Sequence, residues 1–211
     1  MYQLTDELIA QAIPTLCAKD SMFKHIYQRY GVPPLWGREE NFATLVHIVL
    51  EQKVSLASAS ALMKRVESLC PSMQPHRFLD IDEAALRNAG LSGTKVACCC
   101  AIAQNLANGE LSLEALRQLD DNAVIARLTR IRGIGPWTAG VYLMMALKRA
   151  DAWASGDRAL AVSYADCAAL DSIPSYPELD AIAQSWQPLR AVAARMLWHA
   201  YLCKRHQSVP G

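Results

Sequence analysis

No stretch of this sequence is long and apolar enough to span a membrane, and the N-terminal residues MYQLTDELIA lack the basic and apolar parts of an export signal. A cytoplasmic setting is therefore expected. Charge is sparse: only 19% of residues are charged and the formal net charge is +1. That excludes a globally basic protein, so any nucleic-acid binding must come from local patches. Strand-like alternation, internal repeats and low-complexity tracts are also missing. Cysteine is present seven times, an odd number, but at no zinc-like spacing, and reduced thiols are expected. Cys98, Cys99 and Cys100 are consecutive. Neighbours on a helix point roughly 100° apart, so the three cannot converge on one ion without partners. They read as packing residues. His25, His47, His76, His199 and His206 form no ligand-spaced cluster, and no divalent metal is assigned.

What the chain does have is apolar content. Its 211 residues are 52% hydrophobic, enough for one good core or for two small lobes sharing a cleft. Helical periodicity runs through residues 4–18, with Thr5 or Asp6 as start signals and Pro14 as a kink. A second helix spans about 20–30 and stops at Gly31, and VPPLWG (32–37) is a rigid loop. Residues 41–70 read as two helices meeting near 51–54, with Ser55 as N-cap of the second. A short helix from about Ile81 closes at Gly90, and Ser92, Ser112 and Asp120 begin three more. After residue 150 come a helix with Asp157 in its first turn, one ending near Trp186, and a long last helix after Pro188. About ten helices and no strand pattern make the chain all-α.

Charge is segregated along this helical chain. Residues 80–121 are acidic on balance, whereas 127–149 and 187–211 carry no carboxylate side chain. Within 127–149, RLTRIRGIGPWTAGVYLMMALKR, three arginines (Arg127, Arg130, Arg132) precede Gly133-Ile134-Gly135. Pro136 then opens a helix expected to run to Lys148, at the position where its missing N–H matters least. Glycine permits positive φ and close approach of another chain, and a helix N-terminus offers unpaired N–H groups to an anion. A Gly-rich αα-hairpin is the plainest account of Gly-x-Gly alone. The fuller set Leu128, Ile131, Gly133, Ile134, Gly135, Thr138 and Ala139 is more specific, and resembles the helix-hairpin-helix of DNA repair proteins, here at about 121–148.

Further segments extend the likeness over about residues 41–200: Gln52-Lys53-Val54-Ser55 between paired helices, Gly90-Leu91 with Lys95, Asp157 some twenty residues past Trp137, and Trp186, Pro188 and Arg190 at the final helix. Together they resemble the helix-hairpin-helix DNA glycosylase superfamily, in its 3-methyladenine DNA glycosylase II branch. The resemblance implies one domain over 1–211, built as two helical lobes flanking a cleft. The implied reaction hydrolyses the N-glycosidic bond of an alkylated purine flipped out of double-stranded DNA, leaving an abasic site. A monomer, associated with the nucleoid if bacterial, is expected.

The resemblance also assigns roles. Asp157 matches the catalytic aspartate, whose charge would face the sugar cation that forms as the bond breaks. On its own, an acid after Ser155-Gly156 in a first helical turn is as readily a capping residue. Gly156 stands where some relatives carry a second acid; one carboxylate suffices if the leaving base is already cationic. Trp137 stands where lyase members carry a nucleophilic Lys, and an indole there offers a stacking face instead. Trp36 and Tyr142 are further base-pocket candidates. Gln52 and Lys53 match the turn that probes the gap left by the flipped nucleotide. Arg130, Arg132, Gly133, Gly135 and Thr138 are expected to contact DNA. Backbone carbonyls of Thr129, Ile131 and Ile134 match positions that hold a structural monovalent cation, Na+ or K+. The four-Cys iron–sulfur pattern is absent, and no other cofactor is expected. Two alternatives stay open: a non-catalytic helix-hairpin-helix DNA-binding module, which would not need Asp157, and a bifunctional glycosylase/lyase for oxidised bases, which would need a Lys at 137.

Overall fold

The computed structural model describes residues 3–206. Among them are thirteen α-helices and one 3-10 turn, and the only β feature is an isolated bridge between Gln3 and Arg149. In chain order the helices are α1 (Asp6–Lys19), α2 (Ser21–Tyr30), α3 (Phe42–Glu51), α4 (Leu56–Leu69), α5 (Pro75–Leu79), α6 (Glu83–Asn88) and α7 (Gly93–Ala107). They continue with α8 (Leu113–Gln118), α9 (Asp121–Leu128), α10 (Pro136–Met145), α11 (Arg158–Cys167), α12 (Tyr176–Ala183) and α13 (Arg190–Lys204), the 3-10 turn Gln184–Trp186 preceding the last.

Side-chain caps set most starts. The hydroxyls of Thr5, Ser55, Ser92 and Ser112 and the carboxylate of Asp120 each accept a backbone N–H in the first turn of the helix that follows. Ser175 and Glu178 close a reciprocal capping box at α12. The count exceeds the ten helices expected. The five-residue α5 has no side-chain cap, and the segment closed by Gly90 begins at Glu83, after Asp82, rather than at Ile81.

The chain divides into two compact units. Among the described residues, one is formed by those up to Gly37 together with those from Leu143 to His206, the other by Arg38–Tyr142. In the first, α13 packs on α2, α11 and α1. Its core includes Ile9, Ile13, Leu16, Phe23, Ile26 and Trp186, all buried. The rings of Phe23 and Trp153 meet Trp186 edge-on at 5.1 and 5.7 Å, an arrangement aromatic quadrupoles favour.

Arg195 lies in the same unit with no exposed surface. Its guanidinium donates to the carbonyls of Leu35 (2.8 Å), Ala191 (3.0 Å) and Met144 (2.6 Å). Burial pulls its pKa down to about 10, opposed by the Asp6 charge, and the three carbonyls add hydrogen bonds to a desolvated cation. One of them, Met144, lies at the end of α10. The helix stops at Met145, short of the expected Lys148, which instead takes φ 54° and accepts a bond from the Leu4 N–H.

In the second unit, α3 packs against α4 and α7, and α5 lies on α7. Cys98 and Cys99 are buried in α7 and Cys100 is half-buried. Burial pushes the Cys98 thiol up to about 11.

Candidate active site

In the Arg38–Tyr142 unit the hairpin is anchored by apolar side chains and turned by backbone bonds. Leu128, Ile131 and Ile134 are buried. Ile131 N–H donates to Leu128 O and Ile134 N–H to Ile131 O, both at 3.0 Å. The two glycines serve different ends. Gly133 has φ 91°, and a Cβ there would stand 2.7 Å from Cys98 Cβ and 2.8 Å from its Sγ. Conformation and space both require glycine at that position. A Cβ on Gly135 would meet nothing within 4 Å, so this glycine keeps the approach to the backbone open. Arg127, Arg130 and Arg132 are exposed on the same segment, and the Arg127 guanidinium donates to the Glu110 carbonyl. Trp137, in the first turn of α10, is half-buried.

Two residues expected to face DNA turn toward each other. Gln52 Nε2 donates to Gly133 O (3.1 Å) and to Thr138 Oγ1 (2.9 Å), and Thr138 is only 2% exposed. The reason is polar satisfaction: the amide pairs a turn carbonyl and a buried hydroxyl that would otherwise lack a donor. Gln52 is thus a brace between the α3–α4 turn and the hairpin. The exposed tip of that turn is left to Lys53, held at φ 57°, and Val54. Glu51 is committed elsewhere, to a two-pronged ion pair with Arg38 at 3.1 and 2.5 Å. Lys95 donates to the Leu50 carbonyl at 2.6 Å, near the end of α3, and burial lowers its pKa. Tyr142 differs from expectation. It is fully enclosed, its hydroxyl finds no hydrogen-bond partner among the described residues, and burial raises its pKa. A residue with no surface cannot wall a pocket in this conformation.

In the other unit Asp157 is the N-cap of α11 rather than a first-turn residue. Its Oδ1 accepts from Leu160 N–H at 2.8 Å and from the Trp198 indole N–H at 3.2 Å. Both bonds fall on one oxygen and fix the plane of the carboxylate, while the helix dipole favours its charge. Asp157 and Trp198 are both half-buried. Trp198 has no signal of its own in the sequence: it sits in α13, a helix with nine of its fifteen residues buried. Trp36 is half-buried too, at φ 49°, with its ring centroid 6.2 Å from that of His199. The loop before it is tied by Asp6, which accepts the Leu35 N–H at 3.1 Å, and by Arg195 on the Leu35 carbonyl.

A Gly-x-Gly hairpin between α9 and a Pro-initiated α10, in an all-helical chain with a capping aspartate beyond it, defines a helix-hairpin-helix protein. The chain belongs to the HhH-GPD superfamily of base excision DNA repair proteins, whose family model matches residues 46–188. DNA-3-methyladenine glycosylase 1 of Schizosaccharomyces pombe is 28% identical over 165 residues, covering 76% of this chain and 72% of that protein. The solved 3-methyladenine DNA glycosylase of S. pombe in complex with abasic DNA superposes with a TM-score of 0.80 at 25% identity, over 89% of this chain and 95% of that one. The DNA-3-methyladenine glycosidase structure from Bacillus halodurans gives 0.77 at 27% identity, over 98% and 95%.

Proposed function

We propose that the chain is a monofunctional DNA glycosylase that flips alkylated purines of the 3-methyladenine type out of double-stranded DNA and hydrolyses their N-glycosidic bond, leaving an abasic site. The observation that carries this reading is Asp157, held through Oδ1 by Leu160 N–H and Trp198 Nε1, in a chain of a base-excision family. As the bond to a cationic base breaks, positive charge grows on the deoxyribose. A carboxylate fixed beforehand stabilises that charge without reorganising. Trp137 supplies a face for the electron-poor base, and the 1–211 chain works as one functional domain. Release of free base from methylated duplex DNA, followed by chromatography, tests the reading directly.

The hairpin supplies the sequence-independent grip. Its amides, with Arg130 and Arg132, lie against phosphate, and affinity falls as salt rises. Arg132→Ala weakens binding to all sequences alike and makes the salt dependence shallower by about one counterion, with base preference unchanged. Fluorescence anisotropy across a salt series reads both, and an unaltered slope would remove Arg132 from the contact surface. The loop between α9 and α10 carries no carboxylate side chain, so it offers a cation only neutral donors, chiefly backbone carbonyls. That donor chemistry fits a monovalent ion. The carbonyls of Thr129, Ile131 and Ile134 would hold Na+ or K+, which would add positive charge beside the phosphate.

The Trp at 137 sets the reaction type. An indole nitrogen has no usable lone pair, so no imine forms with the sugar. Lesion DNA treated with the protein is nicked only after hot alkali, and borohydride traps no adduct. Trp137→Ala lowers excision of cationic bases by about 1–2 kcal/mol, and Trp137→Phe recovers part of this. A trapped adduct from the unmodified protein would assign the chemistry to an amine such as Lys53 instead.

A further inference from the structure

The segment that delivers Asp157 has little stiffness of its own. Between α10 and α11, residues 151–157 read DAWASGD, with no proline. Asp157 N–H donates to Ala154 O at 3.2 Å, and Gly156 takes φ 83° with open space for 4 Å around the place a Cβ would occupy. This is the pattern of a tight turn with glycine at its third position, the residue with the most backbone freedom to lose. The start of the segment is tied by Asp151, whose carboxylate takes a bidentate pair from Arg190 at 3.0 and 2.8 Å. That leaves the turn itself, where one carboxylate from another helix intervenes. Asp180, on α12, accepts the Trp153 indole N–H on Oδ1 at 2.7 Å and the Ser155 hydroxyl on Oδ2 at 2.5 Å.

We propose that Asp180 is a positioning residue for excision: by gripping Ser155 and Trp153 it fixes the turn that sets the direction of the Asp157 carboxylate. The inference rests on the reading of Asp157 as the catalytic group. Each Asp180 oxygen holds a different donor. One donor, Trp153, is wedged edge-on against the buried Trp186, so Asp180 is referenced to the core. The other, Ser155, is the second residue of the turn. Without that bond, rotation at Ser155 and Gly156 is no longer opposed from the Ser155 side, and the direction of Asp157 rests on its own contacts, its cap and the Trp198 bond among them. A carboxylate that wanders by about an ångström loses much of its hold on a developing charge.

Single-turnover excision on methylated duplex DNA tests this, with active fraction taken from the burst amplitude and affinity measured separately on abasic-site DNA. Ser155→Ala and Asp180→Ala each slow the chemical step by about tenfold, with affinity held within about twofold. The double variant is no slower than Asp180→Ala alone, because both changes cut one link. Asp180→Asn recovers most of the rate, since its amide oxygen can take the indole N–H and its NH2 can donate to the rotated Ser155 hydroxyl. In an Asp157→Asn background, Ser155→Ala produces no further loss. Wild-type rates for Ser155→Ala and Asp180→Ala, or losses that multiply in the double variant or in the Asp157→Asn background, overturn the positioning role. An Asp157→Asn protein that excises normally overturns instead the reading on which the inference stands.

Discussion

Asp157→Asn is expected to abolish nearly all excision while leaving lesion DNA bound. Asparagine is as good an N-cap as aspartate, and its carbonyl oxygen can accept from both Leu160 N–H and Trp198 Nε1. The substitution therefore removes the charge while both of these bonds can be kept. Stability should change by no more than a few tenths of a kcal/mol. The chemical step should slow by roughly a hundredfold or more, the usual effect of removing one preorganised electrostatic group from a transition state. Single-turnover base release from methylated duplex, beside anisotropy on the same DNA, separates the two. Near wild-type excision by this variant would leave Asp157 as a helix cap and nothing more.

Gly133→Ala is expected to be the most damaging single methyl group in the molecule. The alanine must adopt φ 91° and place its Cβ 2.7 Å from Cys98 Cβ. Backbone strain and overpacking together cost about 2–4 kcal/mol. For a chain of this size that corresponds to a fall of about 5–15 °C in Tm. The nature of the obstacle gives a sharper test. Both the Cβ and the Sγ of Cys98 would stand under 3 Å from the new methyl, so Cys98→Ala in the Gly133→Ala background removes the sulfur and relieves part of the clash, leaving the Cβ in the way. Cys98→Gly removes the obstructing atom and recovers the steric part, at a cost of about 1 kcal/mol for glycine inside α7. Thermal denaturation of the four proteins decides it. No rescue by either Cys98 change would mean that Gly133 does not pack on Cys98 and that the hairpin stands elsewhere. DNA affinity should fall with Gly133→Ala even below its melting temperature, since the displaced turn carries the amides proposed to face phosphate.

The helices are legible in the sequence where a start is a local event. Ser55, Ser92, Ser112 and Asp120 act within three residues of themselves, and each caps the helix expected of it. The misses lie where distant groups decide. Nothing in MMALKR marks Met145 as the end of α10; Arg195 on the Met144 carbonyl and Leu4 on Lys148 shape it from other parts of the chain. The five residues of α5 are too few for periodicity to register. The same division runs through the site. Asp157 stands out because family spacing marks it, although its place as a cap depends on an acceptor geometry that a first-turn reading does not distinguish. Gln52 and Thr138 match DNA-facing positions, but each is the other's partner, 86 residues apart in sequence. The Trp198 and Asp180 contacts, made across 41 and 25 residues to Asp157 and Ser155, leave no trace in local pattern at all.

The order in which the chain leaves the ribosome follows from how its two units are threaded. Arg38–Tyr142 is one uninterrupted stretch, whereas the unit that holds Asp157 is assembled from segments on both sides of it. During synthesis α1 and α2 emerge first but must wait for α11 and α13, the helices they pack against. The middle stretch can complete its own contacts as soon as Tyr142 is clear. Domains generally fold as units in the order their residues become available, so the hairpin-bearing unit matures first and the outer one closes last. A nascent chain arrested after about residue 180, long enough for Tyr142 to clear the exit tunnel, should accordingly protect α3–α9 from protease while α1 and α2 are still cut. The carboxylate proposed to do the chemistry is then the late arrival: the hairpin proposed to grip DNA is built before the means of cutting the base from it.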